Sequence, residues 1–219
     1  MPTALVGASL AGCTSSSSHG ASAALSAAKG NSFSASKLRG ALLTRVNGVG
    51  ASAAAASGGY TAISTKVAAG QPASGAATAC VQATQTGLDS AVLAGATAAS
   101  VTFKVGSNDV SELIAAAPGT SAASALAGRL PASCARYKAT VDGKTVTYSV
   151  TESALTGIGK QAKVMNVTPA AAGSDARWSL AYRGTGFVGA VTVAGPNASA
   201  TAVRQLAQQA YAYAAKSLS

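Results

Sequence analysis

The chain is poor in the side chains on which most enzyme chemistry depends. Of 219 residues one is histidine, six are Asp or Glu, and three are cysteine; aromatics make up only 5%. The single histidine, His19, lies in a Ser/Gly/Ala-rich stretch that cannot hold it against a substrate, so the commonest general acid–base is excluded. Beyond Cys13 there are two cysteines and, after His19, no histidine, which falls short of a zinc ligand set. No run of 18 or more strongly apolar, uncharged residues follows Cys13, so none there reads as a membrane-crossing helix. The mean hydropathy of +0.31 reflects alanine.

Charge of one sign is also scarce. Against six acids stand 16 Lys+Arg, a formal net charge of +10. The cations are scattered, without the dense run of a nucleic-acid-binding arm, so no nucleic acid is expected as partner. They read as a solvated basic surface; the functional alternative is attraction to anionic lipid head groups or acidic polymers. Beyond the tether the acids are Asp89, Asp109, Glu112, Asp142, Glu152 and Asp175. Asp142 suits a turn, and Asp109 and Glu112 suit the first turns of a helix, where the dipole favours anions. A pair among Asp89, Glu152 and Asp175 is left to meet in space. The expectation is no enzyme, no cofactor and no metal.

What is present begins at Leu10-Ala11-Gly12-Cys13. Small residues before a cysteine, behind an apolar run, resemble the lipobox of a bacterial lipoprotein. That resemblance implies export, a lipid on the Cys13 thiol, and residence on the outer face of the cell membrane. Residues 1–12 are expected to be a signal-peptide remnant, truncated because no Lys or Arg precedes Lys29. The alternative is a chance cysteine in an Ala/Gly-rich terminus. Residues 13–35 read as a flexible tether, and 36–219 as one domain. With Cys13 lipidated, Cys80 and Cys134 remain, most simply as one disulfide of an exported protein; two separate thiols are the alternative.

Two motifs tempt. Gly184-Thr185-Gly186-Phe187-Val188-Gly189 matches the dinucleotide fingerprint, but Ala190-Val191-Thr192-Val193 reads as strand and no acid follows Asp175. The glycines are assigned to a hairpin. Ser34-Ala35-Ser36-Lys37 matches S-x-x-K, without the companion elements of an acyl-enzyme site.

The periodicity predicts helices over 37–46, 77–93 (broken near Gly87), 108–117 and 121–130, and a strand over 101–105. From Cys134 the period changes to two. A hairpin turns at Asp142-Gly143, with Tyr137, Ala139, Val141, Val146, Tyr148 and Val150 inward. A weaker strand follows at 162–168. Next come Arg177–Arg183, with Trp178, Leu180 and Tyr182 inward and Arg177 and Arg183 projecting to solvent, and then Phe187–Val193. A helix from Asn197 to Leu218, capped by Asn197 or Ser199, carries the apolar stripe Val203, Leu206, Ala207, Ala210, Tyr211 and Ala214. This is an α+β fold: an antiparallel β-meander packed by N-terminal helices and a C-terminal helix. On this reading Arg136, Lys138, Lys144, Arg177 and Arg183 make the outer face of the sheet basic.

The run Leu130-Pro131-Ala132-Ser133-Cys134, the strands Tyr148-Ser149-Val150 and Trp178-Ser179-Leu180, and Arg183-Gly184-Thr185-Gly186-Phe187 resemble the PknH-like extracellular sensor domain, over about Leu38–Ser219. That domain occurs outside actinobacterial receptor kinases and on lipoproteins. The resemblance implies a disulfide-braced α+β domain with a cleft for a small ligand. The expected function is thus a membrane-anchored, sensor-like, non-catalytic ligand-binding lipoprotein. The alternative is an envelope interaction protein that binds anionic wall polymer, lipid or a membrane protein through its basic surface.

Overall fold

The computed structural model of the chain describes residues 33–68, 76–141, 143–170 and 175–219. Residues 1–12, Cys13, His19 and most of the tether lie outside the described residues, as does Asp142. The elements run α1 (Ala35–Gly40), β1 (Arg45–Val46), β2 (Val49–Gly50), β3 (Ala56–Gly59), α2 (Tyr60–Ala68), α3 (Ala76–Thr86), α4 (Ser90–Leu93), β4 (Thr97–Val105), β5 (Asn108–Ala116) and α5 (Gly119–Ala127). They continue with a 3-10 turn at Ala132–Cys134, β6 (Arg136–Val141), β7 (Lys144–Leu155), β8 (Gln161–Pro169), β9 (Ala176–Arg183), β10 (Phe187–Gly195) and α6 (Ala200–Ser217).

Eight strands form one antiparallel sheet in the order β3-β4-β5-β10-β9-β8-β7-β6. The meander from β6 to β10 is the one that the alternating sequence predicts. Its first hairpin sets Val141 opposite Lys144, with Gly143 at φ +73°. The α+β class and the terminal helix follow the sequence reading: Ser199 caps α6 through the Ala202 amide, and the stripe residues Val203, Ala207, Ala210 and Ala214 are fully buried. Tyr211 lies half-buried against Tyr182 and Phe187, while Tyr213 is exposed.

Helices cover both faces of the sheet over its central strands. On one face α1 and α6 pack on Val101, Phe103, Ile114, Leu180, Tyr182 and Val191. On the other, α2, α4 and α5 pack with Tyr60, Ile63, Leu93 and Leu126 on Leu113, Ala115, Val188 and Ala190. Beside them α3 joins Val81 to Tyr137, Val150 and Val167, under a disulfide between Cys80 and Cys134. Their Cα atoms stand 5.2 Å apart. Tyr137 and Tyr148 stack at 5.3 Å on this face.

Three readings are corrected. Residues 108–117 are a strand, not a helix: Gly106 at φ +60° turns the chain back on β4, and Asn108 pairs with Val105. The run Ser111-Glu112-Leu113-Ile114-Ala115 lies between β4 and β10 with both faces covered. Such a strand needs no alternation, so its sequence imitates a helix. Likewise the helix over 37–46 shortens to α1, and Val46 reaches the core from β1. Finally, Arg177 does not project to solvent. It is 4% exposed, and Ser179 and Ala181 on the same side of β9 are buried too, because α3 and α5 lie over them. Arg183 is half-buried, and Trp178 sits at the margin of the core rather than inside it.

Candidate ligand-binding cleft

A cleft of about 280 Å³ opens between α3, the turn before α4, the segment 128–131 after α5, and strands β7 and β8. Its floor is built by the end of α3. Thr84 and Gln85 would leave their last carbonyls unpaired in the interior, as helix ends do. Buried side chains of β9 and β10 satisfy them: Ser179 Oγ donates to Thr84 O at 3.0 Å and Thr192 Oγ1 donates to Gln85 O. Arg177 Nη2 donates to Thr84 Oγ1. Fixed in this way, the chain turns at Gly87, whose φ of +67° favours glycine. A Cβ at Gly87 would also stand 3.1 Å from Met165 Cε.

The turn delivers Asp89 to the cleft. Its Oδ1 accepts from the Ala91 and Val92 amides at 2.9 and 3.4 Å, capping α4. Its own amide donates to Ala125 O at 2.9 Å, tying the turn to α5. Gly128 permits this approach, because a Cβ there would be 2.9 Å from Asp89 Cβ.

The sheet contributes two further charges. Lys163 on β8 lies two residues along from Met165, which pairs with Glu152 on β7, so both side chains leave one face of the sheet as diagonal neighbours. Lys163 Nζ stands 3.6 Å from Glu152 Oε1 and donates to Gly128 O at 2.6 Å. The lysine side chain is 9% exposed and the glutamate 27%. Burial lowers the Lys163 pKa, and Glu152 and the Asp89 carboxylate oppose that shift in part. Gln82, Ser90 and Arg129 complete the polar lining, and Leu88, Leu130, Pro131 and Met165 the apolar one.

The arrangement pairs the Lys163 ammonium with the Glu152 carboxylate, and the Asp89 carboxylate lines the same part-apolar cleft. It can accept hydrogen bonds from a polar ligand and donate one to it. Asp89 and Glu152 therefore meet, as two of the three unassigned acids; Asp175 is not among the lining residues. Among the described residues no group of three or more His, Cys, Asp or Glu is placed to hold a metal. Gly184 and Gly186 lie in the β9–β10 hairpin, with Gly186 at φ +79°, and Gly189 lies in β10. Strand, not helix, follows them, so the dinucleotide motif has no helix N-terminus to offer. Ser34 of the S-x-x-K run caps α1 through the Lys37 amide at 3.3 Å.

Sequence reasoning missed Lys163, Arg177 and Thr192. Lys163 had a visible sign, a lone cation in the apolar strand Ala162–Val167. Arg177 and Thr192 had none, since both fit the solvent face of a half-covered strand.

No protein-family model matches the chain, and no curated protein matches it. Among solved structures, the extracellular domain of PknH from Mycobacterium tuberculosis is similar in backbone, with 13% identity and a TM-score of 0.45. The likeness covers 58% of this chain and 70% of that one. The likeness is one of backbone arrangement alone.

Proposed function

We propose that this chain is a non-catalytic, extracytoplasmic ligand-binding module, held on the outer face of the membrane by a lipid on Cys13. The observation that carries the binding role is Lys163, drawn into a cleft between Asp89 and Glu152. A buried ammonium is costly unless paired, and here the Lys163–Glu152 pair lines an open cavity. The ligand is a small molecule that offers hydroxyl or amino hydrogens to the carboxylates and an apolar edge to Leu88 and Met165. Export is supported by the Leu10–Cys13 lipobox and by the disulfide, a bond of oxidising compartments. Native mass spectrometry of the full chain from its own host tests the reading. The expected result is a stoichiometric small adduct on the wild type that is lost in Lys163→Met and Glu152→Gln with unchanged circular dichroism. An adduct retained by both variants would place the ligand elsewhere.

One observation favours a second reading, contact with anionic wall polymer. The face that α1 and α6 cover runs on exposed over β6 and the paired part of β7. There Arg136 and Lys138 stand exposed opposite Ser149 and Thr147, beside Thr145, Thr151 and Ser153. The basic face is thus supported at Arg136 and Lys138, not at Arg177. Salt-sensitive sedimentation with acidic polymer, abolished by Arg136→Glu with Lys138→Glu, would support it; binding unchanged in that pair would remove it.

A further inference from the structure

At the other end of α5 lies a second concavity, an open groove of about 420 Å³. Its lining brings together Lys160 from the β7–β8 loop, Arg183 at the end of β9, the hairpin Gly184-Thr185-Gly186 and the first turn of α5. The hairpin is held in place from both sides. Lys160 N donates to Arg183 O, Gly184 N to Phe187 O, and Ala117 N to Gly186 O, at 2.9 to 3.0 Å. The two cations are therefore tethered to one rigid backbone node.

Their charges are uncompensated. No acidic residue lines the groove, and among the described residues neither Lys160 nor Arg183 forms an ion pair; the ion pairs found are Lys104–Asp109 and Lys163–Glu152. Arg183 Nε is shielded from solvent and has no hydrogen-bond partner. The two Nη groups of its planar guanidinium are the donors that can grip an oxyanion in the groove. Helix α5 adds to the same field, since Pro118 provides no side-chain cap. Its opposite end is already neutralised by Lys163 on Gly128 O.

We infer that this groove is an anion site for a phosphomonoester, with Lys160 and Arg183 on the phosphoryl oxygens. Two cations match the near-double charge of a phosphomonoester at neutral pH. The volume exceeds that of bare phosphate and leaves room for the esterified group. The site lies apart from the Lys163 cleft and does not depend on the reading given to it. The source of the ester is either a soluble metabolite or the head group of a lipid.

The test is amide chemical-shift titration of the unlipidated full chain with inorganic phosphate and with glycerol 3-phosphate, beside sedimentation with phosphatidic acid vesicles. Saturable shifts are expected at Lys160, Thr185, Gly186 and Thr120, with the ester binding more tightly than phosphate. Lys160→Gln should weaken binding about tenfold, the scale of one charge-assisted hydrogen bond. Arg183→Lys, which keeps the charge and the fold, should weaken it less than Arg183→Gln. Lys163→Met should leave these shifts unchanged, which separates this site from the cleft. Vesicle binding lost in Lys160→Gln would assign the lipid source. Glycerol 3-phosphate binding without vesicle binding would assign the soluble one. Non-saturating shifts spread over all cations, or an affinity unchanged in Lys160→Gln, would overturn the inference.

Discussion

Glu112 makes stability fall as pH rises through neutrality. It lies on β5, opposite Val101 and Val191, and is 1% exposed beneath the segment that follows α1. One oxygen, Oε2, accepts from the Leu43 amide at 2.8 Å, while Oε1 and the buried Tyr182 hydroxyl have no partner. Burial pushes its pKa up from 4.5 to about 8; the Leu43 hydrogen bond opposes the shift only in part. In the folded state the carboxyl is therefore protonated between these values, whereas the unfolded chain has lost that proton. The folded state binds more protons, so stability decreases with pH in this window. One proton is worth about 1.36 kcal/mol per pH unit, so the loss from pH 5 to pH 7.5 is roughly 3 kcal/mol. Against a typical domain stability of about 5–15 kcal/mol this leaves the fold intact but weakened. In urea it should lower the midpoint by roughly 1–3 M, for slopes of about 1–3 kcal/mol/M. The assay is equilibrium urea unfolding at half-unit steps from pH 5 to pH 8.5, on the wild type and Glu112→Gln. The amide keeps an acceptor for Leu43 and cannot ionise, so its midpoint should be nearly flat where that of the wild type falls. The described residues contain no histidine that would titrate in the same window. Parallel pH profiles for the two proteins would refute the argument, since a shared slope would come from groups other than Glu112.

Three further outcomes are expected. Cys80→Ala with Cys134→Ala releases a sequence separation of 54 residues; chain entropy puts the loss at about 4 kcal/mol, readable as a urea midpoint shift equal to that of the reduced wild type. Gly189→Ala would bring a Cβ to 2.4 Å from the Tyr182 ring, so thermal unfolding should show about 1–3 kcal/mol of overpacking loss, and Tyr182→Phe should not relieve it, because the ring atoms Cζ and Cε2 remain at 2.4 and 2.5 Å. Cys13→Ala, expressed in its own host, should leave the membrane fraction; a variant that still sediments with membranes, beside a wild type without lipid mass, would remove the anchoring proposal.

How much could be read without coordinates depended on how many sides of an element are covered. Where one face meets solvent, the pattern was explicit. Val146, Tyr148 and Val150 alternate with Thr145, Thr147 and Ser149, and Val203, Ala207, Ala210 and Ala214 recur at helical spacing, so the β6–β8 meander and α6 were legible from local order. So was the Cys80–Cys134 pairing, because the chain offers few other choices. Strands β5 and β9 were different. With helices on both faces, β5 needs no alternation and read as a helix, and Arg177 on β9 read as exposed although α3 covers it. Composition leaves this protein few acid–base groups and at most one internal disulfide, and hydrophobic periodicity pointed to the α+β class. Which acids meet was a matter of tertiary structure. Asp89 lies 74 positions before Lys163 in the chain, and only the turn at Gly87, the end of α5 and the register of β7 on β8 bring Asp89, Glu152 and Lys163 to one cleft. Local sequence carries no record of such contacts, because their energy is realised only when the layers pack.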